Sequence, residues 1–491
     1  MGNQKNIAIK RLLLVFLIGL LSLPFLQARY EIFQLKPLKG VFVEMKDTSF
    51  NYQAWKEGSY QTQKELFLKD HIGLKQFFVR MHNEVLFQLF RKSSLTDIIV
   101  GKKDYLYDQA YVDAATGRDY MGEDKLRERM WQIKFIQDTL EKMNKHLIVI
   151  LAPGKASFFP EYLPSRYQGK KSTTNYETVV ALCREMGIRY LDFRPYFLKN
   201  KNHSPYPLYP QCGVHWSIYG LYQVLDSTVK YVEWITHTDL PEMVYDSIEV
   251  TSNLQYTDYE IGDIMNLFSR IPTYKMAYPH VHFLHEERRT VRALAVADSY
   301  FGGIFGCGLA DYFFLDPHYW SYYKEYFLAR KPLVKIWEVP DLKSIIDQHD
   351  VIFLSATEIN VGRLGWNFIP DTYNMFKGIR ISHGPNQKQI DLYIRAIRAD
   401  AAWLESVKEK AIRMNVSLDS MIRVDARYMA GLEMEKENKR QYAIERYKES
   451  IRNNADWLNS VKMKARARNI PVDSMITIDA ASLAEKEING K

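Results

Sequence analysis

Three cysteines in 491 residues, Cys183, Cys212 and Cys307, form an odd and widely spaced set. They define neither a disulfide framework nor a metal-ligand spacing, and free, partly buried thiols are the plain reading. The 12 histidines lack zinc-site spacing. No glycine-rich phosphate loop of the form G-x-x-x-x-G-K followed by Ser or Thr occurs, which argues against a generic nucleotide-binding protein. Net charge is +8, yet no segment clusters Lys and Arg densely enough for a nucleic-acid reader. The sequence therefore calls for no metal, no cofactor and no nucleic acid.

Aromatic residues, by contrast, are plentiful: 14% of the chain, with 33 Tyr and 9 Trp. Such rings suit carbohydrate-facing grooves, although most serve as core or interface. Apolar content of 47% and charged content of 25% are those of a globular protein, and the length predicts more than one core. Lys5, Lys10 and Arg11 precede an uncharged stretch, LLLVFLIGLLSLPFLQA, at 12–28. This is a positive n-region followed by an apolar run longer than a cleaved signal requires and slightly shorter than a full span. Cleavage after Ala28 would put bulky Leu26 where a small residue is preferred. Residues 1–29 therefore read as an uncleaved signal anchor, with everything beyond them across the membrane.

Hydrophobic periodicity divides the rest. Residues 30–145 look mainly helical, with apolar residues at helical spacing in 77–92 and a long amphipathic helix at 124–146. Between them, 97–109 reads as a short strand, a turn and an aromatic return. Continuous apolar runs then alternate with helical stretches. The runs at 147–155, 188–195, 291–298, 311–316, 334–339 and 350–358 are strand candidates, and 176–187, 216–234 and the segment before Val351 are helical. This predicts an α/β layer fold with a mostly parallel sheet, whose ligands sit beyond the carboxyl ends of the strands. Residues 235–290 are a lid or a long insertion; the pattern does not choose.

A different object follows SHGPNQKQ at 382–389. Two stretches beginning at Trp403 and Trp457 repeat at an offset of 54: Val407/Val461, Lys410/Lys464, Asn415/Asn469, Asp419/Asp473, Met421/Met475 and Asp425/Asp479. The duplication predicts a small helical appendage for docking or assembly, with each Asp before Ser-Met-Ile capping a helix. The expected domains are thus 1–29, 30–383 and 384–491.

Chemistry concentrates at the predicted strand ends. Ser299 follows the run VRALAVAD and precedes FGGIFG, so its hydroxyl can stand above the sheet with backbone N–H groups nearby. A serine hydroxyl is a poor nucleophile without a base, and His215, beside Trp216 at a helix start, is the candidate. Lys155 and Ser157, after another strand, are candidate groove residues. Glu358 and Asn360 follow the last strand. Tyr300, Trp216 and Trp320 are candidate stacking rings.

Taken in order, IIVGKKDYLY, ILAPGKASFFPEYLP, GVHW and AVADSY behind an N-terminal membrane segment resemble the AlgX/AlgJ-type alginate O-acetyltransferase family over roughly residues 75–360. The resemblance implies an SGNH-hydrolase-like three-layer α/β/α fold. It also implies transfer of acetyl groups onto an exported polysaccharide on the periplasmic side of the cytoplasmic membrane. A membrane-bound O-acyltransferase commonly supplies the acetyl group. Carried over, Ser299 matches the nucleophile and His215 the base.

One departure matters. Where the family has Asp two residues before the histidine, this chain has Gly213. A triad carboxylate fixes the histidine tautomer and stabilises imidazolium, and losing it in a serine protease costs about 10⁴ in rate. Three outcomes stay open: a carboxylate from elsewhere, with Asp316 and Glu358 as candidates at predicted strand ends; a working Ser-His dyad, which Gly213→Asp would accelerate; or a silent glycan-binding or scaffold subunit. An acetyl esterase would use the same residues.

Overall fold

β-branched and leucine-rich runs form the central strands, because a strand covered on both faces needs an apolar side chain at every position. In this computed structural model the described residues are 2–40, 45, 47–169, 172–328, 334–335, 342–378, 387–414, 416–468 and 470–489. The chain divides into two units, one of Met1–Glu44 with Leu68–Tyr373, the other of Met45–Phe67 with Asn374–Lys491.

Within the first unit a hairpin joins β1 (Ile98–Val100) to β2 (Leu106–Asp108). The main sheet contains β3 (His146–Ala152), β4 (Tyr190–Asp192), β7 (Ala293–Ala297), β8 (His318–Ser321), β9 (Glu325–Leu328), β10 (Val334–Lys335) and β11 (Val351–Thr357). β5 (Glu242–Thr251) and β6 (Met276–Leu284) form a separate antiparallel ribbon. The sheet order is β10-β9-β8-β7-β11-β3-β4. The five strands from β8 to β4 run parallel, and β9 and β10 close the other edge antiparallel. β11 lies in the middle, Leu354 facing Val296 on one side and Val149 on the other, and every residue of β11 is buried.

Alternate residues of these strands face opposite layers. Ile148, Ile150, Ala295 and Phe353 share a core with Phe197, Val224, Leu225, Phe301 and Ile304, from the helices Phe193–Asn200, Ile218–Thr236 and Ser299–Phe305. On the other side the helix Glu123–Glu141 packs on β3 and on the helix Asn175–Met186. The result is a three-layer α/β/α fold with a mostly parallel sheet.

Local chemistry moved several expected boundaries. The strand expected at 188–195 is cut to Tyr190–Asp192, because the Asp192 carboxylate accepts the Arg194 N–H and starts a helix at Phe193. No strand forms at 311–316. Gly308, at φ +81, opens a 3-10 turn Leu309–Tyr312, and Phe313 and Phe314 are buried as a plug in the core. The chain joins the sheet only at His318, past Asp316 in a left-handed conformation. Of 334–339, Val334 and Lys335 pair with β9, and 336–339 lie outside the described residues.

In the second unit the duplication is a repeat of three-helix modules. Helices Gln387–Ala399, Ala401–Arg413 and the start of the 36-residue helix Leu418–Asn453 form one module. The rest of that long helix, Ala455–Arg468 and Val472–Asn489 form the other. Each module has its own core, around Val407 and Met421 or Val461 and Met475. The repeated Lys and Asp pair with one another, Lys410–Asp425 at 2.7 Å and Lys464–Asp479 at 2.7 Å. The expected aspartate caps are corrected. Ser417 caps its helix, while Asp419 and Asp473 sit in first turns and bind Arg398 at 3.0 Å and Arg452 at 3.1 Å. Asn415, Asn469 and the 383/384 boundary lie outside the described residues.

Candidate active site

Ser299 stands where β7 ends and a helix begins, with Asp298 as the cap between them. Asp298 is fully buried and its Oδ2 accepts three donors: Thr357 N at 2.8 Å, Thr357 Oγ1 at 2.7 Å and Asn360 Nδ2 at 2.9 Å. These bonds tie the end of β7 to the end of β11, leaving the exposed Ser299 above the carboxyl edge of the sheet. Ser299 Oγ lies 2.9 Å from His215 Nε2.

The carboxylate on the far ring nitrogen is Glu260. Its Oε1 is 2.6 Å from His215 Nδ1 and accepts the Val214 N–H at 2.9 Å. Burial pushes this carboxyl up, but the histidine and the Val214 and His215 amides outweigh burial and hold it below the usual carboxylate range. An ionised Glu260 on Nδ1 fixes the tautomer that leaves Nε2 free to accept the serine proton. Asp316 and Glu358 do other work, which corrects their candidacy. Asp316 lies 3.6 Å from both Arg292 and His318. Glu358, 2% exposed, accepts Ser157 Oγ at 2.5 Å and faces Arg194 at 3.8 Å.

Glu260 opens a short helix, Glu260–Ile264, in the segment between β5 and β6. That segment explains Gly213. A Cβ on Gly213 would be driven into the Thr257 carbonyl oxygen and would meet Pro210 Cγ at 2.8 Å and the Asp258 backbone at 3.1 Å. The backbone that delivers Glu260 therefore crosses the position where the family places its aspartate. Asp258 itself is fully buried, and burial pushes its carboxyl up to about 7 against the hydrogen bond from Tyr278 Oη.

Two further residues hold the histidine loop. Tyr300 is buried, donates its hydroxyl to the Val214 carbonyl at 2.7 Å and packs its ring 4.7 Å from that of His215. Lys155, only 2% exposed, does not line a groove. Its Nζ donates to the carbonyls of Leu106, Gln211 and Gly213, each at 2.7 Å. Burial pushes its amine down to about 7, yet three acceptors call for three N–H donors, which only the ammonium has.

A cavity of about 380 Å³ opens beside Ser299 and His215. Trp216, Tyr222, Tyr256, Tyr278 and Tyr300 contribute to its wall, together with Gly302 and Gly303 of the serine helix. Of the candidate stacking rings, Trp216 and Tyr300 are among the residues that line the cavity. Asn360 instead directs its amide to Asp298, and Trp320 is buried in the sheet beside Phe368. The stretch 235–290 contributes both the ribbon side of this cavity and Glu260. Among the described residues no group of three or more His, Cys, Asp or Glu is arranged to hold a metal.

Sequence reasoning missed Tyr322 as well as Glu260. Tyr322 Oη accepts the Ser299 N–H at 3.3 Å and donates to Ser299 Oγ at 3.2 Å. It lies in the three-residue turn between β8 and β9, where Tyr322 (φ 52) and Tyr323 (φ 54) are both left-handed. Such a conformation costs a side-chain-bearing residue about 1–3 kcal/mol. The Tyr323 hydroxyl bond to Asp371, at 2.8 Å, and the Tyr322 ring against Trp366, at 5.2 Å, help to hold it.

Residues 98–302 match the family model described as an SGNH hydrolase-like domain, acetyltransferase AlgX. No curated protein matches the chain by sequence. Among solved structures, the O-acetyltransferase domain of Pseudomonas putida AlgJ is 13% identical, with a TM-score of 0.39, covering 57% of this chain and 99% of its own. Bacillus cereus PatB1 is 14% identical, with a TM-score of 0.34 and coverage of 54% and 96%. Pseudomonas aeruginosa AlgX is 14% identical, with a TM-score of 0.37 and coverage of 58% and 68%. The segment that carries Ser299, His215 and Glu260 is thus the one matched by the model of SGNH hydrolase-like, AlgX-type acetyltransferase domains.

Proposed function

We propose that this protein is a membrane-anchored, extracytoplasmic O-acetyltransferase that modifies an exported polysaccharide through an acetyl-Ser299 intermediate. The observation that carries the reading is the unbroken line Ser299 Oγ–His215–Glu260, at 2.9 and 2.6 Å, opening on an aromatic-walled cavity.

In the first half-reaction Ser299 Oγ attacks the carbonyl carbon of an acetyl donor while His215 Nε2 takes its proton. The negative charge that develops on the carbonyl oxygen is met by the Ser299 N–H and the Tyr322 hydroxyl, two donors that flank Ser299 Oγ; in the free site the amide is bonded to the hydroxyl and the hydroxyl to Oγ. The C–O bond to the donor breaks and His215 returns the proton to the leaving oxygen. In the second half a sugar hydroxyl gives its proton to His215 and attacks the acetyl-serine, which releases Ser299 as the hydroxyl. Glu260 stabilises the imidazolium in both halves. Transfer rather than hydrolysis requires the sugar to outcompete water, and Tyr222, Tyr256 and Tyr278 offer stacking faces for it.

The candidate span from Ile9 to Tyr30 is 22 residues, about 33 Å of helix against a hydrocarbon core of about 30 Å, with Lys10, Arg11 and Arg29 at its two ends. It supports the single-pass anchor and brings the site near a membrane-bound O-acyltransferase as acetyl source. We read the second unit as an appendage for docking or assembly.

The test is acetylation of the surface glycan in cells carrying Ser299→Ala. An enzyme loses it; unchanged acetylation assigns the chain to a silent glycan-binding or scaffold subunit. With the purified protein and an acetyl ester, release of free acetate at the same rate with and without sugar acceptor would identify an esterase instead.

A further inference from the structure

The helix Lys75–Phe90 has two unlike faces. Asn83 and Phe87 are buried, and Asn83 Nδ2 donates to the Met265 carbonyl at 2.8 Å. The other face exposes Phe78, Met81, Val85 and Leu89 by 42, 43, 46 and 73%. Their spacing places all four on one stripe of the helix. Phe77 extends the patch onto the exposed Phe268, ring centroids 5.4 Å apart. Single exposed apolar residues need no explanation, but a contiguous patch marks a contact surface.

The position of the patch says what covers it. Gly73, just before this helix, lies so close to the end of the N-terminal apolar helix that a Cβ would collide with the Pro24 carbonyl and the Ala28 amide. Arg80, on the striped helix, donates to the carbonyls of Lys36 and Pro37, each at 2.9 Å, and so clamps the chain that leaves the apolar helix. Lys39 and Asn266 exchange two hydrogen bonds, at 2.7 and 2.9 Å, and fix the same connection to the α/β unit. The stripe is therefore held beside the exit of the apolar helix, with the exposed cations Arg29 and Lys92 near its two ends.

We propose that Lys75–Phe90 is an interfacial helix, lying in the headgroup region of the bilayer with Phe78, Met81, Val85 and Leu89 turned toward the acyl chains. The inference rests on reading the N-terminal helix as a membrane span. It goes beyond a flexible tether: span and interfacial helix together fix the orientation of the α/β unit to the membrane. An apolar face of this kind enters the headgroup–acyl boundary by about 5–10 Å, and anionic lipid adds attraction for the flanking cations.

The test uses the full chain in vesicles of phosphatidylethanolamine and phosphatidylglycerol, in a Cys307→Ser background that removes the exposed thiol and leaves Cys183 and Cys212 buried. Nitroxide labels at Val85→Cys and, separately, at Ile18→Cys are read by power saturation with oxygen and a water-soluble nickel chelate. The expected result is several-fold higher oxygen than nickel accessibility at both sites, with Val85 the shallower. Nickel access at Val85 with Ile18 protected overturns the interfacial helix and leaves the span standing. Nickel access at both sites removes the span and the inference with it. Protection at Val85 accompanied by spin–spin broadening, relieved by dilution with unlabelled chain, means that a second copy covers the stripe and also overturns the proposal.

Discussion

Glu260 Oε1 stands 2.6 Å from His215 Nδ1, and the segment that brings it there passes over Gly213, leaving no room for a side chain. The two facts are one device. A carboxylate two residues before the histidine and a carboxylate arriving from the β5–β6 segment compete for the same space, and this chain has the second. The glycine that looked like a missing triad member is the steric condition for its replacement.

Glu260→Gln keeps the shape and a hydrogen-bonding group but removes the charge that stabilises imidazolium. The expected outcome is a fall in kcat of about 10⁴, the size seen when a serine-protease triad loses its carboxylate, with the protein still folded. Initial rates on a chromogenic acetyl ester, beside Ser299→Ala and His215→Ala, check this. A variant as fast as the parent would take Glu260 out of the site.

Glu260 also links stability to pH. Its folded carboxyl is held below the ordinary value of 4.5, so folding favours the ionised form. Its contribution is fully present above that value and is lost as pH falls through the lower folded one. The stability difference between parent and Glu260→Gln is therefore expected to be constant from neutral pH down to about 5 and to shrink below it. Urea titrations across that range measure it. A difference that grew on acidification would reverse the sign assigned here.

Much of this site was legible before the fold was known. β3, β7 and β11 are largely apolar runs of strand length bounded by polar or turn residues, the pattern of strands buried on both faces, and this placed Ser299 at a strand end. Glu260 was not legible, because it lies 45 residues from His215 in a segment with no motif, and only the tertiary path of the β5–β6 region brings it in. Tyr322 was hidden for the opposite reason. Its turn runs against local preference, and two tyrosines in left-handed conformation are not what turn chemistry predicts. The apolar stretch 311–316 misled because period and composition cannot separate a buried strand from a buried turn. Lys155 read as a polar groove residue, yet its amine is satisfied wholly by backbone inside the protein.

Gly213→Ala is the smallest change that tests the crossing of segments. The new methyl group meets the Thr257 carbonyl, so one of the two backbones must move. Overpacking of this kind costs about 1–3 kcal/mol, and the displaced segment carries Glu260 away from His215. A lower thermal midpoint together with lower kcat is expected, and Gly213→Asp is expected to be worse rather than faster. Accelerated turnover in Gly213→Asp would revive the dyad reading.

Lys155→Met removes the ammonium that joins the Leu106, Gln211 and Gly213 carbonyls and keeps most of the side-chain volume. The Gln211 carbonyl keeps the Leu106 N–H at 3.0 Å, and a buried carbonyl left without a donor costs about 1–3 kcal/mol. Since Gly213 is two residues from His215, a steep loss of stability should come with a misplaced imidazole. Thermal melts and residual rates measured well below the melting range separate the two effects. Unchanged stability would mean that water replaces the amine without cost.

Tyr322→Phe separates the hydroxyl from the ring. The ring stays against Trp366, and the backbone strain at residues 322 and 323 is unaltered, so folding should change little. What disappears is the donor 3.2 Å from Ser299 Oγ, beside the Ser299 amide. A donor that acts on the developing oxyanion lowers kcat by about 10²–10³ when removed and leaves KM nearly unchanged, since it binds the transition state more tightly than the ester. A donor that merely shields the serine would do the reverse, and its loss would raise the rate. Steady-state kinetics on a single acetyl ester decide between these, and the acetyl-enzyme burst shows in which half-reaction the hydroxyl acts. Equal loss in acylation and deacylation is the expected result, because the same oxyanion forms in both.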